Sequence, residues 1–126
     1  MHTAKDDVDV KMQIPGAVLR QQLDFGDATG YGKISGEYFS LAAGVDTTPL
    51  FQGLQGNSCQ CPHWGYMLEG TLLMRTPSGD HTYEAGQAFY WAPGHAPEAL
   101  EDCAYVDFSP TAQLQEVLRH IQNAGG

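Results

Sequence analysis

The sequence predicts one all-β domain, a jelly roll or small barrel, that ends in a single α-helix. Three observations predict it. About eight short apolar stretches alternate with turn signals and have no helical segment between them. The 15 glycines and 7 prolines supply the turns that many short strands need. Only the last segment repeats its apolar residues at helical spacing, and 126 residues are enough for one compact core.

The N-terminal part gives two strands after a charged start. Residues 1 to about 12 carry charges without a pattern, which predicts a loose leader ahead of a single domain over 13–126. Strands are predicted over 18–25 and 33–43, separated by a turn over 26–30 and followed by a turn over 44–49. Such spacing is typical of an antiparallel sheet.

The second half repeats this rhythm more clearly. Strands are predicted over 59–68, 71–76, 81–84, 87–91 and 103–108, which places the barrel over about 18–108. The turn signals between them are Glu69-Gly70, a hairpin loop over 77–80, Ala85-Gly86 and Pro93-Gly94.

The C-terminal segment predicts a helix over about 110–123. Ser109 is a candidate N-cap, and Pro110 suits the first helical position. Four apolar residues then follow at spacings of three and four, which predicts an amphipathic stripe lying on the outside of the barrel: Leu114, Val117, Leu118 and Ile121.

Charge and cysteine content narrow the partners and the compartment. Six Lys+Arg against fifteen Asp+Glu give a net charge of −9, the wrong sign for binding nucleic acid or an anionic membrane. The chain has no apolar run of membrane-spanning length and no signal-like start, so we expect a cytoplasmic protein. Three cysteines cannot all pair, and one residue separates Cys59 from Cys61, so reduced thiols are expected.

The run from Cys59 to His63 is the strongest candidate for chemistry. In an extended strand, Cys59, Cys61 and His63 project from one face, with about 6.6–7 Å between successive Cα atoms. Two thiols and an imidazole are ligands that Zn²⁺ or Fe²⁺ prefers and that Ca²⁺ or Mg²⁺ does not. The alternative is a structural role, with the cysteines as small buried apolar residues and the imidazole hydrogen-bonded in the core.

The opposite face of the same strand is apolar. It carries Trp64, Tyr66 and Leu68, which need cover from an N-terminal strand, the C-terminal helix or a second subunit. A homodimer is therefore expected.

Two glycine-anchored runs carry a resemblance to the cupin superfamily over roughly residues 34–109. Counting back from Gly70, His63 stands where the first cupin motif has its glutamate. Cys59 and Asn57 stand at the two histidines of that motif. In the second run, residues 86–97, both motif glycines are kept, whereas Pro97 replaces the last histidine.

The resemblance implies a double-stranded β-helix barrel around a small-molecule site. Cupins commonly hold Fe, Mn, Ni, Cu or Zn with three histidines and a glutamate, and this chain lacks that standard set. A rebuilt site would use Cys59, Cys61, His63 and His95, because His95 lies two residues before the vacant position and shares its face if the backbone stays extended. Zn or Fe is the expected metal, with Ni, Cu or Mn as alternatives.

The remaining site residues follow from the same resemblance. Glu98, near the expected pocket entrance, is the candidate catalytic acid or base. Residues expected to line the pocket or the core are Tyr66, Met67, Phe89, Trp91 and Tyr105.

Three functions remain open at this point. The first is a metal-dependent enzyme of oxygenase, isomerase, decarboxylase or cyclase type acting on a small organic molecule. The second is a metal-free module that binds or senses such a molecule. The third is a redox or thiol role for Cys59 and Cys61.

Overall fold

A computed structural model of the chain describes residues 1–26, 30 and 32–125. These residues form two antiparallel sheets and one C-terminal helix, α1 (Thr111–Gly125). The strands are β1 (Val10–Ile14), β2 (Ala17–Gln22), β3 (Ile34–Leu41), β4 (His63–Glu69), β5 (Thr71–Thr76), β6 (Gly79–Glu84), β7 (Ala88–Trp91), β8 (Ala96–Ala99) and β9 (Cys103–Pro110). The six-stranded sheet has the order β1-β2-β3-β9-β4-β7, and the three-stranded sheet has the order β6-β5-β8.

This architecture confirms the predicted all-β barrel with one C-terminal helix. The strand predicted over 71–76 matches β5, and the other predicted strands overlap their observed counterparts. β9 is central to the larger sheet, because it pairs with β3 on one side and β4 on the other. Its alternation is regular, and the inward, buried residues are Cys103, Tyr105, Asp107 and Ser109.

The interior of the barrel has two apolar clusters. The filled end packs side chains from both sheets: Leu41, Met67, Leu72, Met74, Phe89, Trp91, Ala99, Cys103 and Tyr105, with Ala17. The helix-covered end combines α1 with the N-terminal strands and the loop before β4: Met12, Leu19, Phe51, Cys59, Cys61, Ala96, Leu114, Val117, Leu118 and Ile121.

Gly70 shows why the turn between β4 and β5 needs a glycine. Its φ is +74°, and a Cβ there would lie 2.1 Å from the backbone oxygen of Asp102. Both the left-handed conformation and the close approach exclude a larger residue.

The expected loose leader over residues 1–12 is wrong in its second half. A short 3₁₀ turn spans Lys5–Asp7, and β1 begins at Val10 and pairs with β2. Val8 and Met12 are buried. A strand of only five residues gives a short alternating pattern, which the charged residues of this segment hide.

β8 was also missed, because Pro97 lies inside it. Proline cannot donate a ladder hydrogen bond, so it argues against a central strand. β8 lies at the edge of the three-stranded sheet, where β5 is its only partner among the strands described above. On its other side it meets a loop through an isolated bridge between Glu98 and Asp46, so the missing Pro97 donor interrupts no continuous ladder.

The helix differs from its prediction in its start and its position. β9 continues through Pro110, so the helix begins at Thr111 and Ser109 is not its cap. The stripe at Leu114, Val117, Leu118 and Ile121 does not lie on the outer wall. It packs against residues from inside the barrel and so covers one opening.

Two further observations complete the fold. Of the turn predicted over 26–30, residues 27–29 lie outside the part of the chain that the structure describes. Within the described part, no helix is both long and apolar enough to cross a lipid bilayer.

Candidate functional site

Cys59 and His95 are brought together by their backbones. The two residues form an isolated antiparallel bridge in which the Cys59 amide donates to the His95 carbonyl at 2.8 Å. The Gly94 amide donates to the Cys59 carbonyl, also at 2.8 Å. Because paired residues on neighbouring strands project to the same side, the thiol and the imidazole both enter the barrel.

His63 completes this cluster from the first position of β4. Its ring nitrogen Nε2 lies 3.6 Å from the Cys59 sulfur. One potential ligand atom from each of Cys59, His63 and His95 lies within 4.8 Å of the other two. All three residues are buried.

Hydrogen bonds fix which nitrogen of His63 carries the proton. The Ser109 hydroxyl donates to Glu37 Oε1 at 2.6 Å, so its only proton is committed there. The 2.6 Å contact between Ser109 Oγ and His63 Nδ1 therefore requires Nδ1–H to donate. His63 is left with an unprotonated Nε2 that faces the Cys59 thiol.

His95 is held in the same tautomer by a different partner. Its Nδ1–H donates to the Ala92 carbonyl at 2.7 Å. Its Nε2 is consequently the nitrogen with a free lone pair. Both imidazoles thus keep Nε2 available, which is how second partners commonly orient metal-binding histidines.

Burial keeps both imidazoles neutral. Desolvation lowers the pKa of His63 well below its usual value, and the nearby His95 lowers it further. Desolvation likewise lowers the pKa of His95 from 6.5 to about 4, against the opposing effect of the Ala92 hydrogen bond. At neutral pH neither ring repels a cation.

The buried thiols are poor nucleophiles by themselves. Desolvation raises the pKa of Cys59 to about 12, and it raises the pKa of Cys61 above its ordinary value as well. Neither thiol forms a disulfide bond within the described chain. Since the thiolate is the reactive form, these shifts argue against a redox or thiol function for the pair.

A pair of buried carboxyl groups lies beside His63. Glu37 on β3 and Asp107 on β9 are directly opposite in register. Asp107 Oδ2 lies 3.7 Å from His63 Nδ1. Desolvation raises the pKa of Glu37. Desolvation also raises the pKa of Asp107 well above its usual range, and the neighbouring Glu37 raises it further. Buried carboxyl groups so close together cannot both ionise readily.

Gly65 makes room for this pair. It lies on β4 opposite Asp107 in the register. A Cβ at this position would lie 2.8 Å from the Asp107 Cβ and 2.5 Å from the Phe89 ring. Any side chain here would push the carboxylate out of place.

These groups line a small cavity under α1. Its volume is about 50 Å³, enough for an ion and a few small atoms and well below the roughly 300–1,000 Å³ of most organic ligand pockets. Polar groups line one part of it, and the apolar face of α1 lines another. The lining includes Glu37, Cys59, His63, Trp91, His95, Pro97, Tyr105, Asp107, Leu114, Leu118 and Ile121.

Not every predicted ligand reaches the cluster. Cys61 is buried, but its thiol points toward the carbonyls of Pro62 and Pro110. The chain bends at Cys61 and pairs as a strand only from His63 onward. The alternation that put both cysteines on one face therefore does not apply here. His95 and Pro97, by contrast, both line the cavity as the shared-face argument predicted.

The predicted acid or base, Glu98, lies outside the cavity. Its side chain forms an ion pair with Arg75, which also contacts Asp46. Alternation along β8 turns Glu98 outward while Pro97 turns inward.

The predicted pocket residues divide into three groups. Trp91 and Tyr105 line the cavity. Met67 and Phe89 are buried in the filled end and do not line it. Tyr66 is 45% exposed on the outer face of β4, so its assignment to the pocket is wrong.

Glu37, Asp107 and Ser109 were missed by the sequence reasoning. Charged and hydroxyl residues in a strand usually face solvent, so they gave no positive signal. The only available signal was the alternation on β9, since Tyr105 faces inward and Asp107 and Ser109 must then do the same.

The donor set fits a transition metal. The 3.6 Å between Cys59 Sγ and His63 Nε2 agrees with the separation imposed by a tetrahedral ion that binds sulfur at about 2.3 Å and nitrogen at about 2.0–2.1 Å. One thiolate and two imidazoles suit Zn²⁺ or Fe²⁺ and are too soft for Ca²⁺ or Mg²⁺.

Comparison with solved structures identifies the architecture. Ectoine synthase from P. lautus superposes with a TM-score of 0.62 over 92% of this chain and 84% of that one, at 14% identity. The polyketide cyclase RemF from Streptomyces resistomycificus gives 0.59 over 88% and 79%, at 17% identity. The chain has the cupin fold. The expected double-stranded β-helix is thereby confirmed.

A third comparison involves a protein much longer than this chain. A variant of the oxalate decarboxylase of B. subtilis has a TM-score of 0.60 and 13% identity, covering 86% of this chain. This chain spans only 29% of that decarboxylase's length. No family model and no curated protein matches the sequence.

Proposed function

We propose that this cupin barrel binds one divalent transition metal, Zn²⁺ or Fe²⁺, through Cys59 Sγ, His63 Nε2 and the free nitrogen of His95. One observation carries the proposal. Both histidines are held as Nδ1–H tautomers by buried hydrogen bonds, so each keeps Nε2 free while their ligand atoms cluster with the thiol. A merely structural pair of histidines gains nothing from two matching tautomers.

The surrounding residues have distinct tasks in this proposal. Ser109 and Glu37 orient His63, and the Ala92 carbonyl orients His95. α1 excludes bulk water from the cavity. Three protein ligands leave a coordination position for a small molecule. When bound, the metal would act as a Lewis acid toward an oxygen or nitrogen of that molecule.

We further propose that the bound molecule is a small organic substrate. Proteins of similar fold include a synthase, a decarboxylase and a polyketide cyclase. Because these proteins are only 13–17% identical to this chain, the comparison supports a shared fold and nothing more. The reaction type therefore stays a proposal.

Metal analysis of purified protein tests the metal site. We expect close to one equivalent of Zn or Fe per chain, and binding that is lost in Cys59→Ala, His63→Ala and His95→Ala. Two matched controls carry the same residue types outside the cluster. Cys61→Ser changes the neighbouring buried thiol, and His81→Ala changes an exposed histidine, and both should keep the metal.

Less than about a tenth of an equivalent of any transition metal, with no tight rebinding, would contradict the proposal. Circular dichroism of each variant separates loss of metal from loss of fold.

A metal-free binding module is the second candidate, favoured by the apolar lining that α1 contributes. It predicts that an organic ligand raises the melting temperature in the presence of a chelator and is recovered unchanged. Turnover of the ligand, or stabilisation that requires metal, would exclude it.

We also propose a homodimer in a reducing compartment, the cytoplasm. The outer face of β4, β7 and β9 exposes Trp64, Tyr66, Leu68, Tyr90 and Phe108 to between 40% and 52%. Such a patch is suited to cover by a second copy, and three cysteines that form no disulfide within the described chain suit a reducing environment. Light scattering should give twice the chain mass, and Trp64→Glu should give the monomer.

A further inference from the structure

The Glu37–Asp107 pair is unusual because it is buried and no lysine or arginine of the described residues forms an ion pair with it. Glu37 is 1% exposed and Asp107 is 3% exposed. Both line the cavity beside His63. Among the described residues, the cavity lining contains no lysine and no arginine. Buried acidic groups are ordinarily paired with a cation or bound to a metal.

One of the four carboxyl oxygens already has a donor, because Glu37 Oε1 accepts the Ser109 hydroxyl. Asp107 Oδ2 lies 3.7 Å from His63 Nδ1, whose proton goes to Ser109. Within the described chain, Glu37 Oε2 and Asp107 Oδ1 are buried and have no hydrogen-bond partner. Gln21, which lies opposite Glu37 on β2, can offer one amide donor to Glu37. Within the described chain, Asp107 Oδ1 has no such donor, so the pair still lacks one.

The direction of the Ser109 hydrogen bond shows what kind of partner Glu37 needs. Since the Ser109 hydroxyl donates, Glu37 acts as the acceptor. Since the two groups cannot both ionise readily, the pair keeps a proton and carries at most one negative charge. A ligand that donates hydrogen bonds would satisfy the oxygen without a donor, whereas a carboxylate ligand would face that charge and the unpaired acceptor. The part of the lining that α1 contributes is apolar and includes Leu114, Leu118 and Ile121.

We propose that Glu37 and Asp107 determine the ligand class of the cavity: a small molecule with a donor head, best a protonated primary amine, and a short apolar tail. This rests on the cavity being the ligand site of the proposed function. It does not depend on the metal, because the carboxyl pair lies on the Nδ1 side of His63 and the metal ligands lie on the Nε2 side. Carboxylate anions should bind the metal-free cavity more weakly than such a ligand.

A matched set of three-carbon probes tests the proposal, since the cavity of about 50 Å³ admits only small molecules. Propylammonium chloride, propanol and sodium propionate are titrated at equal ionic strength, with amide chemical shifts as the readout. The protein is used both after chelation and after zinc loading. In the metal-free protein we expect propylammonium to bind at least about tenfold more tightly than propionate, with propanol between them.

Isosteric variants test whether the two carboxyl groups cause the preference for the amine. Glu37→Gln and Asp107→Asn are isosteric, and each should reduce the ratio of amine to propionate affinity to within about twofold. Glu116→Gln makes the same charge change on the exposed face of α1 and should leave the ratio unchanged.

The wild-type ranking needs no variant, so a variant that fails to fold leaves the test intact. Equal or tighter binding of propionate by the metal-free protein overturns the proposal, as does an unchanged ratio in both folded isosteric variants. No binding of any probe to either form also overturns it. Protein that takes up no metal but keeps the amine preference would contradict the metal site alone, so the two failures can be told apart.

Discussion

The filled end and the helix-covered end of the barrel are built from the same strands but differ in what their inward positions carry. On β9, Cys103 packs into the filled end, whereas Asp107, which faces inward on the same strand, joins the polar site. On β3, Leu41 and Glu37 show the same division. Alternation thus determines the direction of a side chain, and the neighbours of that side chain determine whether it contributes to stability or to binding.

The difference has an energetic side. Apolar residues at the filled end gain free energy from burial and close packing. At the other end, buried histidines and carboxyl groups cost free energy through desolvation, as their shifted pKa values indicate. We infer that packing at the filled end stabilises the barrel and offsets the desolvation cost of the buried polar groups at the helix-covered end. The predictions below test this division.

The largest effect is expected at the filled end. Leu72 is fully buried there, so Leu72→Ala should lower the free energy of unfolding by about 2–5 kcal/mol, measured by urea denaturation. Metal stoichiometry of the folded variant should not change. Leu68→Ala, at a 46% exposed position, should cost less than about 0.5 kcal/mol. Comparable losses in both variants would contradict the division.

The next effect is a pH dependence at the helix-covered end of the metal-free protein. The pKa of His95 is lowered from 6.5 to about 4, so the unfolded chain binds a proton that the folded chain does not. Stability is therefore lost as pH falls from about 6.5 toward about 4.

His95→Gln removes this contribution. The stability of the wild type relative to this variant should fall by about 2–3 kcal/mol between about pH 7.5 and about pH 4.5. Exposed His81→Gln serves as the control and should follow the wild type. A difference that stays constant with pH would show that His95 is not buried as a neutral ring.

Metal binding should itself depend on pH. The Cys59 thiol, with its pKa raised to about 12, must lose one proton to bind a metal. Zinc affinity should consequently rise about tenfold, or about 1.4 kcal/mol, per pH unit between about pH 7 and about pH 9.

Cys59→His gives a matched control for this proton. It keeps a ligand at the position but needs no deprotonation in that range, so its zinc affinity should change little with pH. Calorimetry in buffers of different ionisation enthalpy counts the protons released. A wild-type affinity that does not change with pH would remove the thiolate from the ligand set.

The smallest effect concerns the attachment of α1. His120 Nε2 lies 2.7 Å from the Gln52 carbonyl, which ties the helix to the loop before β4. His120→Ala should lower the free energy of unfolding by about 0.5–1.5 kcal/mol and speed hydrogen exchange in α1 more than in β5. Equal acceleration in both elements would indicate a global rather than a local effect.

The sequence could predict the elements that follow a regular period. Most strands, the amphipathic helix and the inward direction of His63 follow from periods of two and 3.6 residues. Glycine positions such as Gly70 follow from the turns that require them. These features depend on local geometry, which a short stretch of residues determines.

The composition of the site could not be predicted in the same way. Pro62 and the bend at Cys61 interrupt the strand, so the alternation fails where it was most needed. Glu37 and Asp107 meet across two strands that are far apart in sequence. An amphipathic stripe shows that α1 needs an apolar surface but does not specify which one, so its position over the barrel opening depended on tertiary packing.

The small volume beneath α1 has a kinetic consequence. A molecule much larger than the space of about 50 Å³ cannot enter while the helix is seated. Its association must wait for a pre-existing open form, whose population is set by the protein alone. The observed association rate constant for such a molecule should reach a plateau as its concentration rises. The plateau equals the rate constant with which α1 opens. A probe small enough to pass beneath the seated helix should show a rate that stays linear in concentration.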